Sequence, residues 1–205
     1  MIYLFTDYDL ITEDILNQLI CKLPSKRKEK ALRYRHLEGR ISCTIGYLLF
    51  LYGYRSLHNM TDLPDFDISE NEKPYLSNSS WIHFNISHSK NAVCCAFSNA
   101  PVGVDIQEIR KSSTSAILKV CSENERKMIE TSENPDGEFC RIWSVKEAIS
   151  KQTGDGIFRN IQNLENAKIT THTQLINDIT YLTIACENTN DFTINKLSLS
   201  QLLKL

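Results

Sequence analysis

Residues 81–98 read WIHFNISHSKNAVCCAFS, and residues 102–107 follow as VGVDIQ. The first stretch splits into two apolar runs around a polar turn at Ser89, Lys90 and Asn91, which predicts two short strands. The second predicts a third strand. Side chains alternate across a strand, so Val102, Val104 and Ile106 share one face while Gly103, Asp105 and Gln107 share the other. Together the three strands suggest a small sheet.

Upstream of this sheet the pattern is helical. Thr12 is placed to cap a helix with apolar positions Ile15, Leu16, Leu19, Ile20 and Leu23, which Pro24 then ends. Ser25 is placed to cap a second helix over residues 26–52, where Leu37, Ile41, Ile45, Leu48 and Leu49 form an apolar stripe and Arg33, His36 and Arg40 another. Residues 56–80 read as loop with at most a short strand. Downstream, Ser122 and Glu125 form a capping-box pattern opening a helix that ends near Thr131. A further helix is expected over residues 138–152, broken by Gly154 and Gly156, and residues 181–186, YLTIAC, form the clearest later strand. Helices and strands mix in both halves without regular βαβ alternation, so the fold class is α+β.

Composition narrows the function. Across 205 residues, 41% hydrophobic and 23% charged content describes a chain that folds rather than a disordered or fibrous one. A net charge of -2 gives no basic field for nucleic acid, so no nucleic-acid partner is expected and any anion site must be local. The opening MIYLFTDYDL lacks a basic signal-peptide start. The longest apolar run, residues 44–52, is far short of the roughly 20 residues that cross a bilayer. Seven cysteines without a Cys-x-x-Cys pair fit neither a disulfide framework nor a zinc site, and Cys94 and Cys95 read as small buried hydrophobes. These features together favour a protein of the reducing cytoplasm with no membrane partner.

Several residues carry chemistry. Asp105 and Gln107 point the same way from one strand, a set of hard oxygens suited to Mg²⁺ beside substrate phosphates, although alone the segment reads first as a strand with a solvated acidic edge. Residues 143–151, WSVKEAISK, put Trp143, Glu147 and Lys151 on one helical stripe, which alone is an ordinary surface ion pair over a core anchor. His88 ends a strand beside Ser87 and Ser89, where hydroxyls, imidazole and turn amides could hold a phosphate. The basic cluster Lys26, Arg27, Lys28 and Lys30 begins the second helix.

In combination, FNISHS (residues 84–89), GVDIQEI (103–109) and WSVKEAISK resemble the motif set of the 4'-phosphopantetheinyl transferases, in their longer Sfp-type form. EKPYL (72–76) resembles the family's Gly-Lys-Pro element and KQTGDGI (151–157) its glycine-containing continuation, so similarity spans about residues 72–157. The resemblance implies a pseudo-dimer of two similar lobes, residues 1–100 and 101–205, with coenzyme A in the cleft between them. It implies Mg²⁺-dependent transfer of 4'-phosphopantetheine from coenzyme A to a serine of an apo acyl or peptidyl carrier protein, releasing 3',5'-ADP. By carry-over, Asp105 and Glu147 bind the metal. Gln107 stands where many members have a third acid, so either its carbonyl or a water fills that place. His88 and Ser87 meet a cofactor phosphate, Lys151 neutralises the pyrophosphate and Lys73 lies near the adenine end. Arg27 and Lys30 hold the 3'-phosphate, with Arg40 a further candidate because Ser42 occupies the family's arginine position. Glu147, directly or through water, takes the serine proton. Fused lobes give no need for self-association, so a monomer is expected. A phosphohydrolase and a non-catalytic coenzyme A or nucleotide binder are the competing readings.

Overall fold

The computed structural model describes residues 1–58, 64, 66–68, 73–77, 79–154, 161–166, 169–187 and 192–205. Glu72, Asp155, Gly156 and Ile157 of the motif segments lie outside the described residues. Two sheets stand back to back with helices on both outer faces, which confirms the mixed α+β class.

In the first sheet, β1 (Ile2–Phe5) lies between antiparallel β5 (Val93–Ser98) and parallel β9 (Ile194–Lys196), with β4 (His83–His88) outside β5. Alternation sorts its side chains. Tyr3, Phe5, Val93, Cys95 and Phe97 face an aromatic core built with α1 (Glu13–Cys21) and α3 (Leu37–His58), to which α7 (Leu199–Leu203) adds Leu199 and Leu202. Ile2, Leu4, Cys94 and Ala96 face the other way and pack on Val102, Val104, Ile106, Leu182 and Ile184 of the second sheet. That sheet has the order β6 (Val102–Glu108), β8 (Thr180–Cys186), β7 (Thr170–Asn177), all antiparallel. Its outer face carries α6 (Pro135–Thr153), flanked by α4 (Thr114–Val120) and α5 (Glu123–Thr131). The chain therefore crosses from the first sheet to the second after β5 and is back in the first at β9.

Local chemistry sets most element ends. The Thr12 hydroxyl accepts from Ile15 N at 3.3 Å to start α1, and the Ser122 and Glu125 capping box is complete at the start of α5. Helix α6 starts at Pro135, three residues before the expected 138, because Asn134 caps it and Pro135 supplies a preset first-turn φ. It ends at Gly154, whose φ of 79° is the left-handed cap that glycine adopts without a Cβ clash.

Three sequence expectations need correction. The helix expected over residues 26–52 is two helices, α2 (Ser25–Leu32) and α3, separated at Arg33–His36 by exposed residues. Helix α2 packs against α3, with Ala31 buried and Arg27 over the Tyr47 ring, rather than continuing it in line. The strand at Val102 does not join the hairpin that precedes it; its ladder partner is β8. Residues 56–80 hold the end of α3 and a hairpin of two short strands, β2 (Phe66–Ile68) and β3 (Pro74–Leu76), where loop with a short strand is expected. No helix among the described residues is long and apolar enough to cross a membrane.

Candidate active site

The two sheets meet at their edge strands, β4 and β6, where a backbone ladder is replaced by side chains. Val104 N donates to Asn85 Oδ1 at 2.9 Å and Ile106 N donates to the Ser87 hydroxyl at 3.2 Å. The alternation in FNISHS explains this: Phe84 and Ile86 turn to the α3 core, so Asn85 and Ser87 turn to β6 and cover its open edge. The seam thus requires polar residues at alternate positions of β4.

Helix α6 closes over the seam from the other side. At Gly103 the helix comes so near that a Cβ would overlap Ala148 O and Gln152 N, so only glycine permits the approach. Two residues along β6, Asp105 is buried beneath α6 at 5% exposure. Lys151 Nζ donates to Asp105 Oδ1 at 2.7 Å and to the Ser87 hydroxyl at 3.0 Å, and it lies 3.7 Å from Glu147 Oε2. Ser87 in turn donates to Asp105 Oδ1 at 3.0 Å. Its one donor and both acceptor sites are then used within the protein.

These groups line a cleft of about 410 Å³ with Ile86, His88, Ile106, Gln107, Arg110 and Trp143. Burial raises the Glu147 pKa above the ordinary glutamate range; Lys151 opposes the rise and the charge of Asp105 adds to it. For Lys151, burial acts against the ammonium, but the charge and hydrogen bond of Asp105, then Glu147, outweigh it and raise the pKa. His88, at the solvent end of β4, has its pKa lowered by partial desolvation and then by Lys151, against an opposite pull from Asp105.

The cleft's donor set suits a hard cation. Asp105 Oδ2 is buried with no hydrogen-bond partner among the described residues, and Glu147 faces the same ammonium. No cluster of three or more His, Cys, Asp and Glu side chains forms among the described residues. Gln107 lines the cleft but spends its Nε2 on Glu108 O at 2.8 Å, which leaves its carbonyl oxygen as the group a cation could use.

The remaining candidates lie elsewhere. Lys73 Nζ donates to Gln152 O at 3.0 Å and Val102 O at 3.3 Å, beside a second cleft of about 270 Å³ with His83, Phe84, Pro101 and Thr153. This cleft sits at the opposite end of β4 and β6 from His88. Arg27 lies over the rings of Phe66 and Tyr47, at 4.7 Å and 5.3 Å from the ring centres. Lys30 is exposed on α2. Arg40 pairs with Glu13 at 2.8 Å, and Ser42 is buried against the Tyr8 hydroxyl at 3.0 Å. None of Arg27, Lys30 and Arg40 lines either cleft.

Two residues escaped the sequence reading. Arg110 borders the cleft two residues past β6, and only its charge and nearness to the strand end could have marked it. Lys146 reads as a surface lysine of α6 yet is 1% exposed, with Nζ donating to Glu125 Oε2 at 2.7 Å, Ile161 O at 2.8 Å and Val120 O at 2.9 Å.

Comparison with known proteins follows the same geography. The model of the 4'-phosphopantetheinyl transferase superfamily matches residues 101–195, which include β6 and α6. A 4'-phosphopantetheinyl transferase of Bacillus subtilis is 27% identical over 145 residues, covering 69% of this chain and 64% of the relative. The transferase psf-1 of Bacillus pumilus is 32% identical over 138 residues, covering 64% and 58%. Sfp of Bacillus subtilis strain 168 is likewise 32% identical over 138 residues, covering 65% and 61%. The chain thus spans less than two thirds of the length of these relatives. The segment that places an acid beneath α6 is the segment the family model recognises, and the chain is similar to the 4'-phosphopantetheinyl transferases, Sfp among them.

Proposed function

We propose that the protein is an enzyme that transfers 4'-phosphopantetheine from coenzyme A to a serine of an apo acyl or peptidyl carrier protein, with Mg²⁺, releasing 3',5'-ADP. The observation that carries this reading is the meeting of Asp105, Glu147 and Lys151 in one cleft, inside the segment matched by the family model.

Phosphoryl transfer asks a protein for positioning and charge neutralisation more than for covalent chemistry. Lys151 supplies positive charge for the diphosphate from the last turn of α6, and His88 contacts a cofactor phosphate from the end of β4. Ser87, with its hydroxyl bonded to Asp105, Lys151 and Ile106, acts by fixing those groups. Asp105 and Glu147 would hold Mg²⁺, with the Gln107 carbonyl as a third donor, and the bound ion would offset charge developing on the diphosphate. Glu147 takes the proton from the carrier serine, directly or through a water. Lys73 serves the adenine end from the second cleft, while Arg27 and Lys30, with Arg40 behind them, serve the 3'-phosphate.

The same reading treats residues 1–100 and 101–205 as related lobes, although β9 and α7 pack with the first, and puts the cofactor across the β4–β6 seam. A monomer in the cytoplasm, with no nucleic-acid or membrane partner, completes it. The test is direct: incubate the protein with coenzyme A, Mg²⁺ and an apo carrier protein, and follow the carrier by mass spectrometry. The phosphopantetheine adduct is expected. Phosphate release without an adduct would instead mark a phosphohydrolase, and binding without turnover a non-catalytic module.

A further inference from the structure

We infer that Lys151 is a displaceable resident cation: its ammonium occupies the carboxylate oxygens that a divalent ion needs, so the ion and a diphosphate bind cooperatively. The inference rests on the proposed function only in taking a diphosphate as the second ligand.

Lys151 Nζ is 2.7 Å from Asp105 Oδ1 and 3.7 Å from Glu147 Oε2, so one ammonium already bridges the two acids of the cleft. A divalent ion held by those acids would sit within a few ångströms of that charge, and like charges at such range repel strongly in a partly desolvated site. The ion alone therefore meets both a neutralised carboxylate and a repelling neighbour. A diphosphate changes both conditions, because its oxygens attract the ammonium away from Asp105 and also ligate the ion.

The fold gives Lys151 freedom to make this move. It lies in the last turn of α6, before the Gly154 cap, and its side chain is 27% exposed toward the cleft. Lys146 on the same helix shows the opposite arrangement, with 1% exposure and three acceptors that fix its ammonium. Asp105 would not be stranded by the exchange, since Ser87 still donates to Oδ1 and Oδ2 has no partner to lose among the described residues. Ion and diphosphate must then strengthen each other by the same factor, because coupling between two ligands is reciprocal.

The experiment is calorimetric titration of the full chain with Mn²⁺ alone, for the wild type and for Lys151→Met. Removing the ammonium should tighten Mn²⁺ binding about tenfold, the scale expected for deleting one nearby charge at a partly shielded site. Adding Asp105→Asn to Lys151→Met should erase the gain. Equal or weaker binding by Lys151→Met, or a gain that survives Asp105→Asn, overturns the inference. If Lys151→Met does not fold, Lys151→Gln takes its place. The wild type alone also decides: Mn²⁺ should bind more tightly with saturating inorganic pyrophosphate than without it, after correction for the complex they form in solution, and equal affinities refute the coupling. The Mn²⁺ arm needs no carrier protein. Tighter ion binding by Lys151→Met together with no carrier modification by the wild type would sink the proposed function and leave this inference standing.

Discussion

Helix α6 presents two lysines five positions apart in sequence to two different surroundings. On one side Lys146 is sealed against α5, where Glu125, Val120 O and Ile161 O satisfy all three ammonium hydrogens. On the other side Lys151 faces Asp105 and Glu147 across a cleft, where the buried Asp105 Oδ2 has no hydrogen-bond partner among the described residues. Identical side chains thus do unlike work: the first holds elements together, the second holds charge in readiness. A saturated buried ion pair marks architecture, whereas an unsaturated one beside a cleft marks a candidate site.

The sharpest way to break this contrast is to remove the acids on the cleft side. Asp105→Ala and Glu147→Ala should each reduce carrier modification by about three orders of magnitude, on the scale of losing a key charge-stabilising group, with far-UV dichroism unchanged. Near-normal turnover in either variant would remove the cleft from the mechanism. On the sealed side the expected loss is of stability. Lys146→Met leaves the Glu125 carboxylate buried without its cation, and denaturant melts should show a cost of about 3 to 5 kcal/mol. A cost below about 1 kcal/mol would mean that Glu125 finds water and that the two sides are not so different.

Smaller changes sharpen the comparison. Gly103→Ala forces α6 away from β6, at an expected cost of about 1 to 3 kcal/mol in a urea melt, and it should reduce transfer by separating Glu147 and Lys151 from Asp105. The smallest effect concerns Glu147→Gln. A carboxyl whose folded pKa is raised lowers stability above that pKa, and the penalty disappears as pH falls below the unfolded value. Glu147→Gln should therefore melt slightly higher than wild type at neutral pH, with the gap closing in acid. A variant that melts lower at neutral pH, with the gap persisting in acid, would contradict the sign.

Much of the cleft was legible because it is built from short-range periodicities. Strand alternation put Asp105 and Gln107 on one face, and helical phase put Glu147 and Lys151 on one stripe, so their meeting required only that α6 cover β6. The Ser122 and Glu125 capping box is likewise a four-residue signal. What escaped depends on distance along the chain. Nothing in WSVKEAISK separates Lys146 from a solvated lysine, because its acceptors Val120, Glu125 and Ile161 are 15 to 26 residues away. Strand β1 is buried on both faces and four residues long, so it shows no alternation to read. The assignment of β6 to the second sheet also lay beyond local pattern, since its partner β8 is more than seventy residues downstream. Arg110 follows a strand end where backbone direction, not residue type, decides what a side chain borders.

The return of β9 to pair with β1 has a mechanical meaning. Chain passes between the sheets on both sides of the second sheet, and Leu197 N donates to Leu4 O at 2.8 Å just past the return, so the halves are clasped rather than hinged. A clasped groove keeps its width, and whatever enters must be accommodated by swinging side chains along its walls.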